Sequence, residues 1–374
     1  MEKLKKMLPK FCGFLFFGTM CTFVSAQKIN YQVNPQTGAL QTLSIANDPQ
    51  KMNWLVVTDG SQYRWVKENY GWGLGYATQV KGNRKEKVSW EIPAEMKQEG
   101  NELVYMAGDI RICVKRKMVE DELIEEYTFR NQGKDKVALV DIGVYTPFND
   151  NYPGSRTCIN ARTNTHIWEG ENAAYVNVLR MGGHAPHLGL VLTKGAVKGY
   201  EIWERGRDKG NSHTRGIIAL NLSDLQLMPG KEYSMSWCLF AHKGIDDFRQ
   251  KLLEKGSVFV SCNKYVFEKG EKACIELAAE TSIQKCVLKN QDIHIPMKKR
   301  GNLWIAEVKM DQLGENRFDI FYGKGKQTHV TCLVIDNVDS LIKKRVDFIC
   351  DHQQMKESNT RKDAFMVYDN EKNE

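Results

Sequence analysis

Acids set beside aromatic or amide side chains are the first chemistry this sequence offers. Asp150 lies in Asn149-Asp150-Asn151-Tyr152, Glu169 follows Trp168, Glu204 follows Trp203, and Asp369 and Glu371 come just after an apolar-aromatic run. Glycoside hydrolysis needs such acids, one as general acid and one as nucleophile or base, about 5 to 10 Å apart across the scissile bond. Sugar rings also lay their apolar C–H faces on Trp and Tyr while neighbouring polar groups take the hydroxyls. Trp72, Trp168, Glu169, Asp150, Tyr152 and His166 are therefore the candidate substrate-binding residues, with Asp369 and Glu371 as candidate catalytic acids. Each has an ordinary role to compete with, since most acids are solvated and a large sandwich places large aromatics in its core.

Histidines are the next group. His184-Ala185-Pro186-His187 sits in a Gly/Pro-rich stretch and could join His166 on a metal, because zinc accepts His pairs completed by a carboxylate or thiolate. A two-residue spacing around a proline fits a turn equally well, so no metal is expected and His184 and His187 are the residues to examine. Gly-x-Ser-x-Gly, the phosphate-binding loop and His-Glu-x-x-His are absent from the sequence, which removes motif support for serine hydrolase, nucleotide-binding and zincin readings. No cofactor is expected. Polysaccharide elimination would instead need a Tyr or His base and a group that neutralises a uronate. His166, Arg162 and Tyr152 are available for it, though nothing in their spacing demands it.

The elements that must hold these residues read as strands. From Lys28 to His242 short Val-, Ile-, Tyr-, Trp- and Thr-rich runs alternate with Gly, Asn and Asp, the pattern of an antiparallel β protein. Strands are expected at 89–92, 103–106, 110–114, 123–129, 137–144, 188–192, 217–222 and 233–240, without a helical period, as one large double sheet. A short helix is expected at Ile245–Glu254, then a smaller immunoglobulin-like set of strands at 257–262, 273–277, 284–288, 303–308, 317–322 and 327–334. A helix beginning near Val338, capped by Asn337 or Asp339, follows. The expected divisions are 1–26, 27–245, 246–336 and 337–374.

The first division is a secretory signal peptide: Lys3, Lys5, Lys6 and Lys10, then an apolar stretch of about 14 residues from Phe11 to Val24, then Val24-Ser25-Ala26. That stretch is shorter than the roughly 20 residues a membrane span needs, and Gly18-Thr19-Met20 before Cys21 does not resemble a lipid-attachment site. Export to the periplasm or the outside is expected, with no membrane span. The net charge of +7 is partly that leader, and the other basic residues are interspersed with acids, so nucleic acid is not an expected partner. Cysteines have no compact spacing. Cys262 and Cys274, flanking a turn, are the first candidates for a disulfide.

Several phrases resemble a family of secreted bacterial proteins of unknown function, six-hairpin glycosidase-like. They are Tyr70-Gly71-Trp72-Gly73-Leu74-Gly75-Tyr76, Pro147 to Tyr152, Thr165-His166-Ile167-Trp168, Arg180 to Leu190 and Ala364 to Asn370. The resemblance implies a mainly β fold: a large antiparallel β-supersandwich, a small immunoglobulin-like sandwich, and the first helix of an incomplete (α/α)6 domain that would carry the hydrolytic site. The expected function is the non-catalytic β region of a secreted glycoside hydrolase-like protein acting on a polysaccharide or oligosaccharide, inactive alone. A free-standing carbohydrate-binding protein and a polysaccharide lyase are the alternatives.

Overall fold

The computed structural model describes residues 28–56, 70–91, 96–150, 154–203, 217–356, 360 and 362–365. Across them the protein is mainly β, and the alternation that makes a half-buried strand is plain in Glu122–Asn131, where every second residue is buried.

In chain order the strands begin with β1 Ile29–Val33, β2 Leu40–Ile45, β3 Gly75–Lys81, β4 Arg84–Ser89, β5 Lys97–Glu99, β6 Glu102–Ala107, β7 Ile110–Val119 and β8 Glu122–Asn131. They continue as β9 Val137–Tyr145, β10 Thr163–Trp168, β11 Tyr175–Arg180, β12 His187–Lys194, β13 Val197–Trp203, β14 Ile217–Leu222, β15 Leu225–Leu227 and β16 Glu232–His242. An eight-stranded sheet runs β10-β11-β12-β16-β8-β7-β6-β5, a six-stranded sheet runs β13-β14-β9-β3-β4 with β15 on β9, and β1 pairs with β2. The inner faces of the two large sheets share one core containing Trp54, Trp72, Trp90, Trp237, Tyr127 and Phe129, all fully buried. Side chains of this size each contribute on the order of 1.5–3 kcal/mol by leaving water.

Two expectations are corrected here. The strand anticipated at 89–92 ends rather than begins at Ser89. Its body, Arg84–Ser89, is a charged edge strand with little buried surface, so it carries no hydrophobic signal. A helix also interrupts the β region, α1 Ser155–Ala161, which buries only Cys158. It is too short to show a helical period.

The helix α2, Ile245–Glu254, has Asp246 and Asp247 in its first turn and buries Phe248 and Leu252. Acids there complement the positive end of the helix dipole. Beyond it come β17 Phe259–Cys262, β18 Val266–Glu268, β19 Lys272–Ala278, β20 Ile283–Leu288, β21 Ile293–Ile295, β22 Lys298–Arg300, β23 Leu303–Lys309, β24 Gly314–Tyr322 and β25 Lys326–Ile335. They form sheets β17-β19-β23-β22 and β18-β25-β24-β20-β21 around a second core, with β18 parallel to β25. The Cys262–Cys274 pairing does not occur. Cys262 aligns with the fully buried Ile275 and so faces inward, whereas Cys274, next to Ile275 on the same strand, faces outward.

Last comes α3, Val338–Phe348. The Asn337 side chain accepts from the amides of Asp339 and Ser340 at 3.0 and 3.3 Å, so Asn337 is the cap. Its apolar residues Val338, Leu341, Ile342, Val346 and Phe348 are exposed.

Candidate functional site

Strand register builds the site. It aligns Trp168 with Tyr175, Val191 and Cys238 in one row across β10, β11, β12 and β16, and His166 with Asn177, Gly189 and Phe240 in the next. One row further, His187 aligns with His242. Directly opposed residues share a face, while the alternate residues Val176, Val178, Leu188 and Leu190 turn into the main core. The outward face therefore carries aromatic, imidazole and amide groups where a plain sandwich would carry solvated polar side chains.

Part of that face is covered by α2. Phe248 packs on Phe240 at 5.7 Å and edge-on to Tyr175 at 5.3 Å between ring centroids. Gly189 makes room for it, because a Cβ there would lie 2.6 Å from the Phe240 ring and 2.9 Å from that of Phe248. Where α2 begins the cover stops, and a cleft of about 530 Å³ opens, lined by His166, Tyr175, Asn177, His187, Ile245 and Phe259 among others.

The polar groups of the cleft are unequal in what they can do. Asn177 is 6% exposed, and its Oδ1 is buried with no hydrogen-bond partner, a state that costs about 1–3 kcal/mol until a donor arrives. His187 accepts at Nδ1 from the Arg180 amide at 3.1 Å. Burial, and then the Arg180 charge, hold its pKa below the usual imidazole value despite the Gly183 carbonyl. A neutral ring with Nδ1 engaged carries its proton on Nε2, so His187 is a donor and not a base. Burial pushes the Tyr175 phenol up, chiefly because its anion would be desolvated. Tyr175 is thus a wall with a polar tip. His166 is exposed and faces the cleft.

Of the residues singled out in the sequence, the structure brings His166 and His187 to this cleft. His184 is exposed on the loop before β12, and no group of three His, Cys, Asp or Glu placed to hold a metal occurs among the described residues. Trp72 is corrected as a sugar platform: it is fully buried, with its indole nitrogen on Glu125 at 2.7 Å. Trp168 is half-buried, stacked with Tyr175 and His329 and packed on the second core, so its ring serves the junction between the two sets of sheets. Glu169 is half-buried beside it. Asp150 accepts at its carbonyl from Arg162 Nε at 3.0 Å, away from the cleft lining. Tyr152, Asp369, Glu371, Glu204 and the signal peptide lie outside the described residues. Tyr175, Asn177 and Phe259 were missed, although Val176 and Val178 alternate with Tyr175, Asn177 and Leu179 in a way that places the latter three on one face.

Comparison with known proteins bears on this arrangement. A family model described as a family of unknown function, DUF5695, matches residues 221–374, and no curated protein matches the chain. A solved polysaccharide lyase is 55% identical over 93% of this chain, with a TM-score of 0.85. A galactose mutarotase-related enzyme from Lactobacillus acidophilus is 10% identical, covering 59% of this chain and 97% of its own, at a TM-score of 0.34. A GH36 α-galactosidase from Geobacillus stearothermophilus is 9% identical, covering 65% of this chain and 45% of its own, at 0.34. Those last two likenesses are too slight to carry an argument. The chain is thus similar over almost its whole length to the polysaccharide lyase, and it spans 52% of that protein's length.

Proposed function

We propose that this chain is the β-sheet part of an exported protein that cleaves a polysaccharide by β-elimination, and that the cleft beside α2 holds a stretch of the sugar chain. The observation that carries the reading is the 55% identity, over 93% of the chain, to a polysaccharide lyase. It favours elimination over the hydrolysis that the paired acids suggested. In elimination a base takes the proton beside a uronate carboxylate, the electron pair forms a C4–C5 double bond, and the C4–O bond breaks as the leaving oxygen is protonated. The described cleft holds donors, one buried acceptor short of a donor, and the exposed His166, which suits gripping hydroxyls and an acidic sugar more than completing the reaction.

The divisions at 27–245, 246–336 and 337–374 belong to the same reading, with α3 opening a helical part of the six-hairpin type that would cover its exposed apolar face. The polysaccharide is the partner, and export follows from the signal peptide. Incubating the full-length protein with uronate-containing polysaccharides should raise the ultraviolet absorbance of the new C4–C5 double bond. New reducing ends without that absorbance would replace elimination by hydrolysis. Binding by the present chain is read separately, as retardation in a polysaccharide-loaded native gel.

A further inference from the structure

Each sheet of the smaller sandwich turns one cysteine toward the other. Cys262 on β17 aligns with the buried Ile275 and points into the sandwich, while Cys332 on β25 is 0% exposed, and both pack in the same core cluster. The strands β17 and β25 come from different sheets but touch. The Cys262 thiol donates to Asn263 Oδ1 at 3.5 Å, while the neighbouring Cys332 side chain, ahead of amide contacts from Lys264, Asn263 and Cys274, holds its pKa down at about 7. The proximity of Cys262, together with burial, pushes Cys332 well up. Cys262 is half-buried and reachable from solvent. One accessible thiolate-forming sulfur in contact with one enclosed, protonated partner is the arrangement that favours exchange followed by ring closure.

We propose that Cys262 and Cys332 are a disulfide site, which an external disulfide such as oxidised glutathione closes to tie the two sheets of the smaller sandwich together. The Cys262 thiolate attacks the external disulfide, and one glutathione thiolate leaves. Cys332 then gives up its proton to solvent and attacks the Cys262 sulfur, and the second glutathione leaves as a thiol. Two protein thiols are oxidised and one glutathione disulfide is reduced to two thiols. This site does not depend on the elimination reading.

The test treats the purified chain with oxidised glutathione and follows it by intact mass, thiol titration and non-reduced peptide mapping. Closure predicts loss of about 2 Da, loss of two thiols, a peptide pair joining 262 to 332, and a Tm raised by about 5 °C or more that a reductant reverses. In Cys262→Ser, which sits at a partly exposed position, Cys332 should stay a free thiol under the same treatment and the Tm should no longer respond. A persistent glutathione adduct on Cys262, a bridge from either residue to another cysteine, or unchanged mass and thiol count would each overturn the proposal.

Discussion

Trp72 and Glu125 are joined by a 2.7 Å hydrogen bond inside the main core, and the indole of Trp237 donates to the same carboxylate oxygen, also at 2.7 Å. The other oxygen pairs with Arg116 at 2.5 Å, with exposures of 4% and 0% for the two side chains. A carboxylate cannot remain in such a place without this full set of donors. Trp72, on the segment before β3, and Trp237, on β16, are thereby fixed in orientation, which turns an expected sugar platform into a structural post.

Trp72→Phe keeps most of the ring and removes the donor. Stability should fall by about 1–3 kcal/mol, while retardation in a polysaccharide-loaded gel stays unchanged. A large loss of binding at unchanged stability would return Trp72 to the sugar-contacting residues.

Removing the charge partner is harsher. Arg116→Ala leaves Glu125 buried and unpaired, and urea unfolding should register a loss of roughly 3–5 kcal/mol. The double variant Arg116→Met with Glu125→Leu should recover most of that loss, and failure to recover would mean that the indole bonds outweigh the ion pair.

At the cleft, Asn177→Ala removes the acceptor that lacks a donor. Binding of an acidic polysaccharide should weaken about five- to tenfold, and His166→Ala should weaken it by a similar factor, with melting temperatures held. Equal binding by both variants would place the sugar elsewhere.

The acid side of the stability curve should be steep. His242 is fully buried, and burial, with His187 5.3 Å away, depresses its pKa from 6.5 to about 4. Because the unfolded ring binds its proton more readily than the folded one, stability is flat above pH 6.5. It falls as pH drops toward 4, by roughly 3 kcal/mol from this group. The groups facing the ring, His187, Asp247 and the Gly244 and Leu188 carbonyls, do not reverse that sign. In His242→Gln the slope of denaturation midpoint against pH between 4 and 6.5 should flatten, and an unaltered slope would assign the acid response to other groups.

Gly189→Ala should loosen α2 from the sheet. The added methyl meets the rings of Phe240 and Phe248, at a cost of about 1–3 kcal/mol. Faster amide exchange over Ile245–Glu254 is the expected readout, and unchanged exchange there would show that the rings can shift.

Much of the fold was legible before any coordinates. The strands expected in the smaller sandwich match β17, β19, β20, β23, β24 and β25 to within a few residues, whereas the three-residue strands β18, β21 and β22 were not expected, and α2 runs over Ile245–Glu254 as its first-turn acids and Phe248-Leu252 spacing require. Charged edge strands such as β4 stayed hidden because they bury almost nothing. The sequence by itself determined the mainly β character and which side chains share a strand face, since both follow from a period of two that each strand carries locally. Only the tertiary structure decided which face meets a partner. The sheet order β10-β11-β12-β16 sets His166 in one row with Asn177 and Phe240, and the pairing of two distant sheets encloses Trp72 and leaves the Asn177 face to the cleft. Those placements depend on contacts between residues far apart in the chain, and no local pattern encodes them.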